Sequence, residues 1–192
     1  MLRFVILLGT LAIPFAASAQ HAGHSPYAGM ETREIKSLSE TDIEELRRGG
    51  GWGLALSAEL NGVPGPAHLL ELGDEIGLSG EQVTAIEAIF EEMQAEARRL
   101  GEQLIGAEMA IEDAFRNDDL DEDTLRELIE NAETVRAELR FVHLSRHLST
   151  PPLLTEEQIA TYNRLRGYGS DPCAQVPEGH DPQMWRRHNN CD

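Results

Sequence analysis

His143 and His147 stand four residues apart in a stretch with helical periodicity. On a helix, that spacing puts both imidazoles on one face, where they can share one metal ion. Imidazole suits Zn(II), Cu(II) and Ni(II), so a metal is an optional cofactor and none is required. If the chain folds back about Asp119, Glu92 and Glu96 come opposite the two histidines as acidic partners, and His68 approaches from a preceding helix. The two rings fall beside the apolar seam through Leu139 and Val142, so simple packing at a helix interface near Pro151-Pro152 is the alternative. Weaker metal candidates sit at the ends: His21 and His24 near the start, His180 and His188 near the finish. The two cysteines, Cys173 and Cys191, either close one disulfide in an oxidising compartment or join His180 or His188 as thiolate ligands. No nucleophile elbow, phosphate loop or dinucleotide-binding glycine pattern is present. Ser145 faces neither histidine, because helical neighbours two apart point different ways. The pattern reads as a binding protein and not an enzyme.

The elements that must position these residues are long. Leu78-Ser79-Gly80-Glu81-Gln82 is a capping box, with Ser79 as N-cap and Gln82 reaching back to it. Beyond it, apolar residues recur in steps of three and four at Val83, Ile86, Phe90, Met93, Ala97, Leu100, Leu104, Ala107 and Ile111. The spacing predicts one helix to about Asn117, roughly 55–60 Å long, which needs a partner along its length. After the turn at Asn117–Asp121, a second seam runs through Leu125, Leu128, Ala132, Val135, Leu139 and Val142 to about Leu148. Two such helices joined by a short turn make an antiparallel hairpin. Leu154-Thr155-Glu156-Glu157-Gln158 then repeats the first device and opens a helix ending near Arg166. Ahead of the hairpin, a short helix is expected over Ser39–Arg48, a short apolar segment over Trp52–Leu60 and a helix over Pro66–Ile76. The fold class is all-α: a long antiparallel helical hairpin with short flanking helices. It divides into 1–19, an N-terminal extension 20–65, a helical domain 66–168 and an irregular tail 169–192.

Met1–Ala19 carries Arg3, an apolar run from Phe4 to Phe15 and an Ala17-Ser18-Ala19 cleavage site, the pattern of a secretory signal. The run is short for a membrane span, so the mature protein is expected to be exported, most simply to a bacterial periplasm, and not to span a membrane. The net charge of −18 excludes binding to nucleic acid through its phosphates and favours cations or basic partners. Aromatic residues make up only 5%, in keeping with helices packed through Leu, Ile, Val and Ala.

The paired motifs at Leu78–Gln82 and Leu154–Gln158, bracketing a helical hairpin behind a signal segment, resemble the Spy/CpxP family of periplasmic stress proteins with its LTxxQ motifs. CnrX-like metal sensors and zinc-resistance-associated proteins belong to the same group. The resemblance covers about Pro66–Tyr168; the second motif matches fully and the first has Ser79 for Thr. It implies a curved antiparallel homodimer. In the Spy-like branch it implies an ATP-independent chaperone for unfolded envelope proteins, whose surface here would use Phe141, Leu144 and Leu148 beside Arg140 and Arg146. In the metal-sensing branch it implies a heavy-metal sensor or resistance protein with ligands on the helix that carries His143 and His147. A third implication is an adaptor of an envelope-stress sensor kinase. The chaperone is the leading expectation. Two features depart from the family pattern: this chain is acidic where the Spy-like cradle is basic, and Arg33–Glu59 has no counterpart.

Overall fold

The computed structural model describes residues 26–118, 120–168, 176, 179–188 and 191. The expected signal segment 1–19, His21, His24 and Cys173 lie outside these residues. The chain divides into two compact units, 1–32 and 33–192. The described part of the first holds one 3-10 turn, Met30–Thr32, closed by the Thr32 hydroxyl donating to the Gly29 carbonyl. Everything below concerns the second.

Two helices dominate it, α5 (Gly80–Arg116) and α6 (Glu122–Ser149), packed antiparallel. Ser79 caps α5, its hydroxyl accepting from the Gln82 amide, and Asp121 caps α6 by accepting from the Thr124 amide. Along the expected seams, Ile86, Met93, Ala97, Leu100, Leu104 and Ala107 of α5 are buried, as are Ala132, Leu139 and Val142 of α6. The seams alone do not account for the burial of Gly101, Ile105 and Glu108. A second face of α5 is covered, and the cover is the N-terminal extension.

Residues 33–65 form that cover, a strap laid along the hairpin. Its helix α1 (Glu40–Arg48) has a complete capping box from Ser39 and Asp42. Ile35, Leu38 and Leu46 point inward and join Met93, Leu100, Leu104, Leu139 and Val142 in one core. Burying each such side chain is worth about 2 kcal/mol before ordering entropy is subtracted. α1 crosses α5 at Gly101, where a Cβ would lie 2.3 Å from the Leu46 carbonyl oxygen. Only glycine allows that approach. Polar contacts border the strap: Ser37 donates to Glu108, Glu108 pairs with Arg136 at 2.6 Å, and the Arg136 guanidinium lies 4.9 Å over the Trp52 ring.

A short helix, α2 (Leu56–Glu59), ends the strap. The expected single helix over Pro66–Ile76 is in fact two, α3 (Pro66–Glu71) and α4 (Gly73–Ile76). Leu72 between them leaves the helical region, with φ −104° and ψ 15°, and is the N-cap of α4. α7 (Glu156–Arg166) opens with the second capping box, and Leu69, Ile76, Ile86 and Tyr162 make a second core where α3, α4, α5 and α7 meet. The tail, expected to be irregular, contains α8 (Pro182–His188). Cys191 is disulfide-bonded, which removes it as a thiolate ligand. No described helix is long and apolar enough to cross a membrane.

The two Leu-Ser/Thr-x-x-Gln motifs do more than cap their own helices. The Gln82 amide nitrogen donates to Gln158 Oε1 at 2.8 Å, and the Gln158 amide nitrogen donates to Gln82 Oε1 at 3.0 Å. Gln82 also donates to the Leu153 carbonyl, and Gln158 to the Gly77 carbonyl. Each oxygen meanwhile accepts the N-cap amide of its own motif, Ser79 or Thr155. The result is a symmetrical amide pair that ties the start of α5 to the start of α7.

Candidate functional site

A cleft of about 470 Å³ opens between the strap, α3 and the C-terminal half of α6, with His68, His143, His147 and Glu59 in its wall. α6 delivers the two histidines one turn apart, and both are buried, at 3% and 6% exposure. This corrects the expectation that they lie beside the packed face: the strap covers that side of α6 as well.

The His147 Nδ1 donates to the Val63 carbonyl at 2.7 Å. A carbonyl only accepts, so Nδ1 carries a proton and Nε2 is the ring nitrogen turned toward the cleft. That Nε2 lies 4.0 Å from Glu59 Oε1. Gly65 makes room for the ring, since a Cβ there would stand 2.5 Å from His147 Cε1. His143 Nε2 is buried with no hydrogen-bond partner. Burial, helped by the neighbouring His147, holds the His143 imidazole below its usual pKa; the Gly50 backbone and Glu45 oppose this more weakly.

Glu59 ties the site together. Its Oε1 accepts from His68 Nδ1 and its Oε2 from the Tyr162 hydroxyl, each at 2.8 Å. Arg166 stands 4.0 Å from Oε2. Burial would raise the Glu59 carboxyl, but the hydrogen bonds from Tyr162 and His68 and the charges of His68 and His147 outweigh it and keep the group ionised. Burial, and then Glu59 itself, push the Tyr162 phenol well above its usual value, so it stays a donor.

Of the residues singled out in the sequence, His68, His143 and His147 are brought to this cleft. Glu92 and Glu96 are not: Glu92 pairs with Arg146 at 3.4 Å and Glu96 with Arg99 at 2.6 Å, on surfaces that do not line it. The carboxylate that does face the histidines comes from the strap. Glu59 escapes a reading of the sequence because it sits as a lone acid in a short apolar segment, close in the chain to His68 but far from His143 and His147. Phe141 and Leu148 are 70% and 77% exposed, Arg140 is exposed, and Leu144 and Arg146 are half-buried. His180 rests edge-on against Trp185 and His188 ends α8, both in the tail.

The cleft wall offers three imidazoles and the carboxylates of Glu45, Glu59 and Glu71, with Glu59 the one in contact with the histidines, chemistry suited to a Zn(II), Cu(II) or Ni(II) ion. Among the described residues, no group of three or more His, Cys, Asp or Glu side chains is already arranged to hold a metal. Ligation at the cleft therefore requires side chains to turn.

No curated protein and no solved structure matches the chain. The family described as LTXXQ motif family protein matches residues 68–166, a span that holds both motifs, the hairpin and the cleft's three histidines. With the Gln82–Gln158 clasp joining the two motifs in space, sequence and structure agree, and the chain belongs to the LTXXQ motif family, the Spy/CpxP-like proteins that its motifs resemble.

Proposed function

We propose that this protein is an exported metal-responsive member of its family, which takes up one divalent transition-metal ion at the cleft through His143 and His147, with His68 and Glu59 completing the set. The observation that carries the reading is the buried Nε2 of His143, which makes no hydrogen bond of ordinary length and stands one helical turn from His147. A buried polar atom without a hydrogen bond is costly, commonly by about 1–3 kcal/mol, and such atoms call for a reason. A metal ion is a reason that also explains why His147 is tied down through Nδ1 with Nε2 left over, since a hydrogen bond at one ring nitrogen orients the other as a ligand. The chemistry supplied is binding and release rather than turnover.

The test is titration of chelator-stripped protein with Zn(II), Cu(II) and Ni(II). One equivalent should bind, and His143→Ala with His147→Ala should weaken it by at least about 100-fold, since both are direct ligands. Unchanged affinity in the double variant would place the ion elsewhere.

This reading puts the metal-responsive role ahead of the chaperone role that the sequence alone puts first. The strap occupies the apolar side of the hairpin that a client would need. A holdase role still draws support from Phe141 and Leu148, exposed beside Arg140 on one stretch of α6. Suppression of aggregation of a denatured client, lost in Phe141→Asp with Leu148→Asp, tests it. The periplasm and a homodimeric state belong to the same proposal and are checked by fractionation and by solution mass.

A further inference from the structure

The strap takes part in two things at once. Ile35, Leu38 and Leu46 cover the apolar face formed by Met93, Leu100, Leu104, Leu139 and Val142. The same segment supplies the Glu59 carboxylate and the Val63 carbonyl that orients His147, while the histidines themselves belong to α3 and α6. The cleft is complete only when the strap is docked. Conversely, nothing but the strap covers that face of the hairpin among the described residues of this unit.

We infer that the strap is a cover whose closure is thermodynamically coupled to occupancy of the cleft: a divalent transition-metal ion at His143, His147, His68 and Glu59 favours the docked strap, and an empty cleft favours its release and exposure of the apolar hairpin face. The inference rests on the metal-binding reading and adds the regulation of that site. Coupling of this kind is reciprocal: whatever loosens the strap must weaken binding by the same factor that binding tightens the strap. The backbone between α1 and α2 has the features of a hinge. Trp52 sits at φ 43° and is kept there by its indole nitrogen donating to Asp42 Oδ1 at 2.8 Å and its amide donating to Glu45 Oε1. Strain of this sort persists only while its partners hold it.

Gly101 offers a way to loosen the strap without touching a ligand. It lies on α5, outside the cleft wall, and a Cβ there meets the Leu46 backbone at 2.3 Å and 2.9 Å. Alanine is the better helix former, so Gly101→Ala leaves α5 formed and pushes α1 away. Leu38→Asp, which puts a charge into the same core from the strap side, is the independent second variant.

The experiment follows amide hydrogen exchange of the full chain with and without Zn(II), together with Zn(II) affinity. Zn(II) should slow exchange in α1 and in residues 50–63 of the native chain. Both variants should exchange faster in α1 and bind Zn(II) about tenfold more weakly, within the usual range of coupling between sites. Native binding with no change in strap protection, or variants with a loosened α1 and native affinity, would overturn the coupling while leaving the metal site standing. A native chain that binds no Zn(II), Cu(II) or Ni(II) would overturn both.

Discussion

Glu59 accepts from His68 through one oxygen and from Tyr162 through the other, and the Tyr162 ring is fully buried. Tyr162→Phe keeps the ring and removes only the donor. A hydrogen bond to a charged partner is worth about 1.5–3 kcal/mol, so the variant should lose about 2 kcal/mol in urea unfolding at neutral pH. No loss would mean that water replaces the phenol freely and that Glu59 is less enclosed than its contacts indicate. Gly65 sets a second constraint on the same group. Gly65→Ala drives a methyl to 2.6 Å from His147 Nε2, so the ring must swing away from Val63. Overpacking costs about 1–3 kcal/mol, and the His147 imidazole proton resonances should shift with it. Neither residue carries a local sequence signal for its role. Glu59 and Gly65 lie roughly eighty residues from His147, and only the fold brings them to it.

At the scale of elements, the local rules were legible and the long-range ones were not. The capping boxes at Ser79 and Thr155 could be read from three-residue spacings, because both halves of such a box lie within one turn. The seams of α5 and α6 could be read because a long helix shows its period many times. The union of the boxes through Gln82 and Gln158 could not, since each glutamine already has a complete local role. A double-mutant cycle isolates that union: Gln82→Ala and Gln158→Ala should each cost about 2 kcal/mol, and the pair should fall short of their sum by about 1 kcal/mol. A strictly additive pair would remove the clasp as a stabilising unit. The burial of His143 and His147 was equally hidden, because it depends on the strap and not on the period of α6. The strap has its own acid limb. The Ser39 hydroxyl, then the Trp52 indole and the Ser39 amide, hold the Asp42 carboxyl below its usual value against the opposing effect of burial. Its folded pKa lies below its unfolded one, so this stabilisation is present above about pH 4 and is lost as pH falls through the folded value. Asp42→Asn should therefore flatten the acid limb of the urea midpoint below about pH 4, and an unchanged limb would assign acid sensitivity elsewhere.

The whole molecule carries 34 acidic against 16 basic side chains, a net charge of −18. Ion pairs such as Arg99–Glu96, Arg116–Asp113 and Arg47–Glu102 lie about half exposed. Pairs of that kind contribute about 0–1 kcal/mol each and are weakened by salt, whereas self-repulsion among excess carboxylates destabilises the compact state and is relieved by salt. The two effects pull the melting temperature in opposite directions. With so large an excess of one sign, repulsion should win. Raising NaCl from ~0.01 M to ~1 M shortens the screening length from about 30 Å to about 3 Å. If that recovers about 1–2 kcal/mol, the melting temperature should rise by roughly 3–6 °C for a chain of this size. Sulfate would confuse the measurement by strengthening apolar burial, so chloride is the salt to use. A falling melting temperature would show that attraction within the ion pairs outweighs the repulsion. The same field bears on the proposed ligand. Long-range attraction of a divalent cation is screened along with the repulsion, while contacts inside the buried cleft are screened far less. Metal association should therefore slow with added NaCl while the dissociation rate changes little, and stopped-flow mixing with Zn(II) at the two salt concentrations separates them. A dissociation rate that rises instead with salt would place the ion on the exposed acidic surface rather than against His143 and His147.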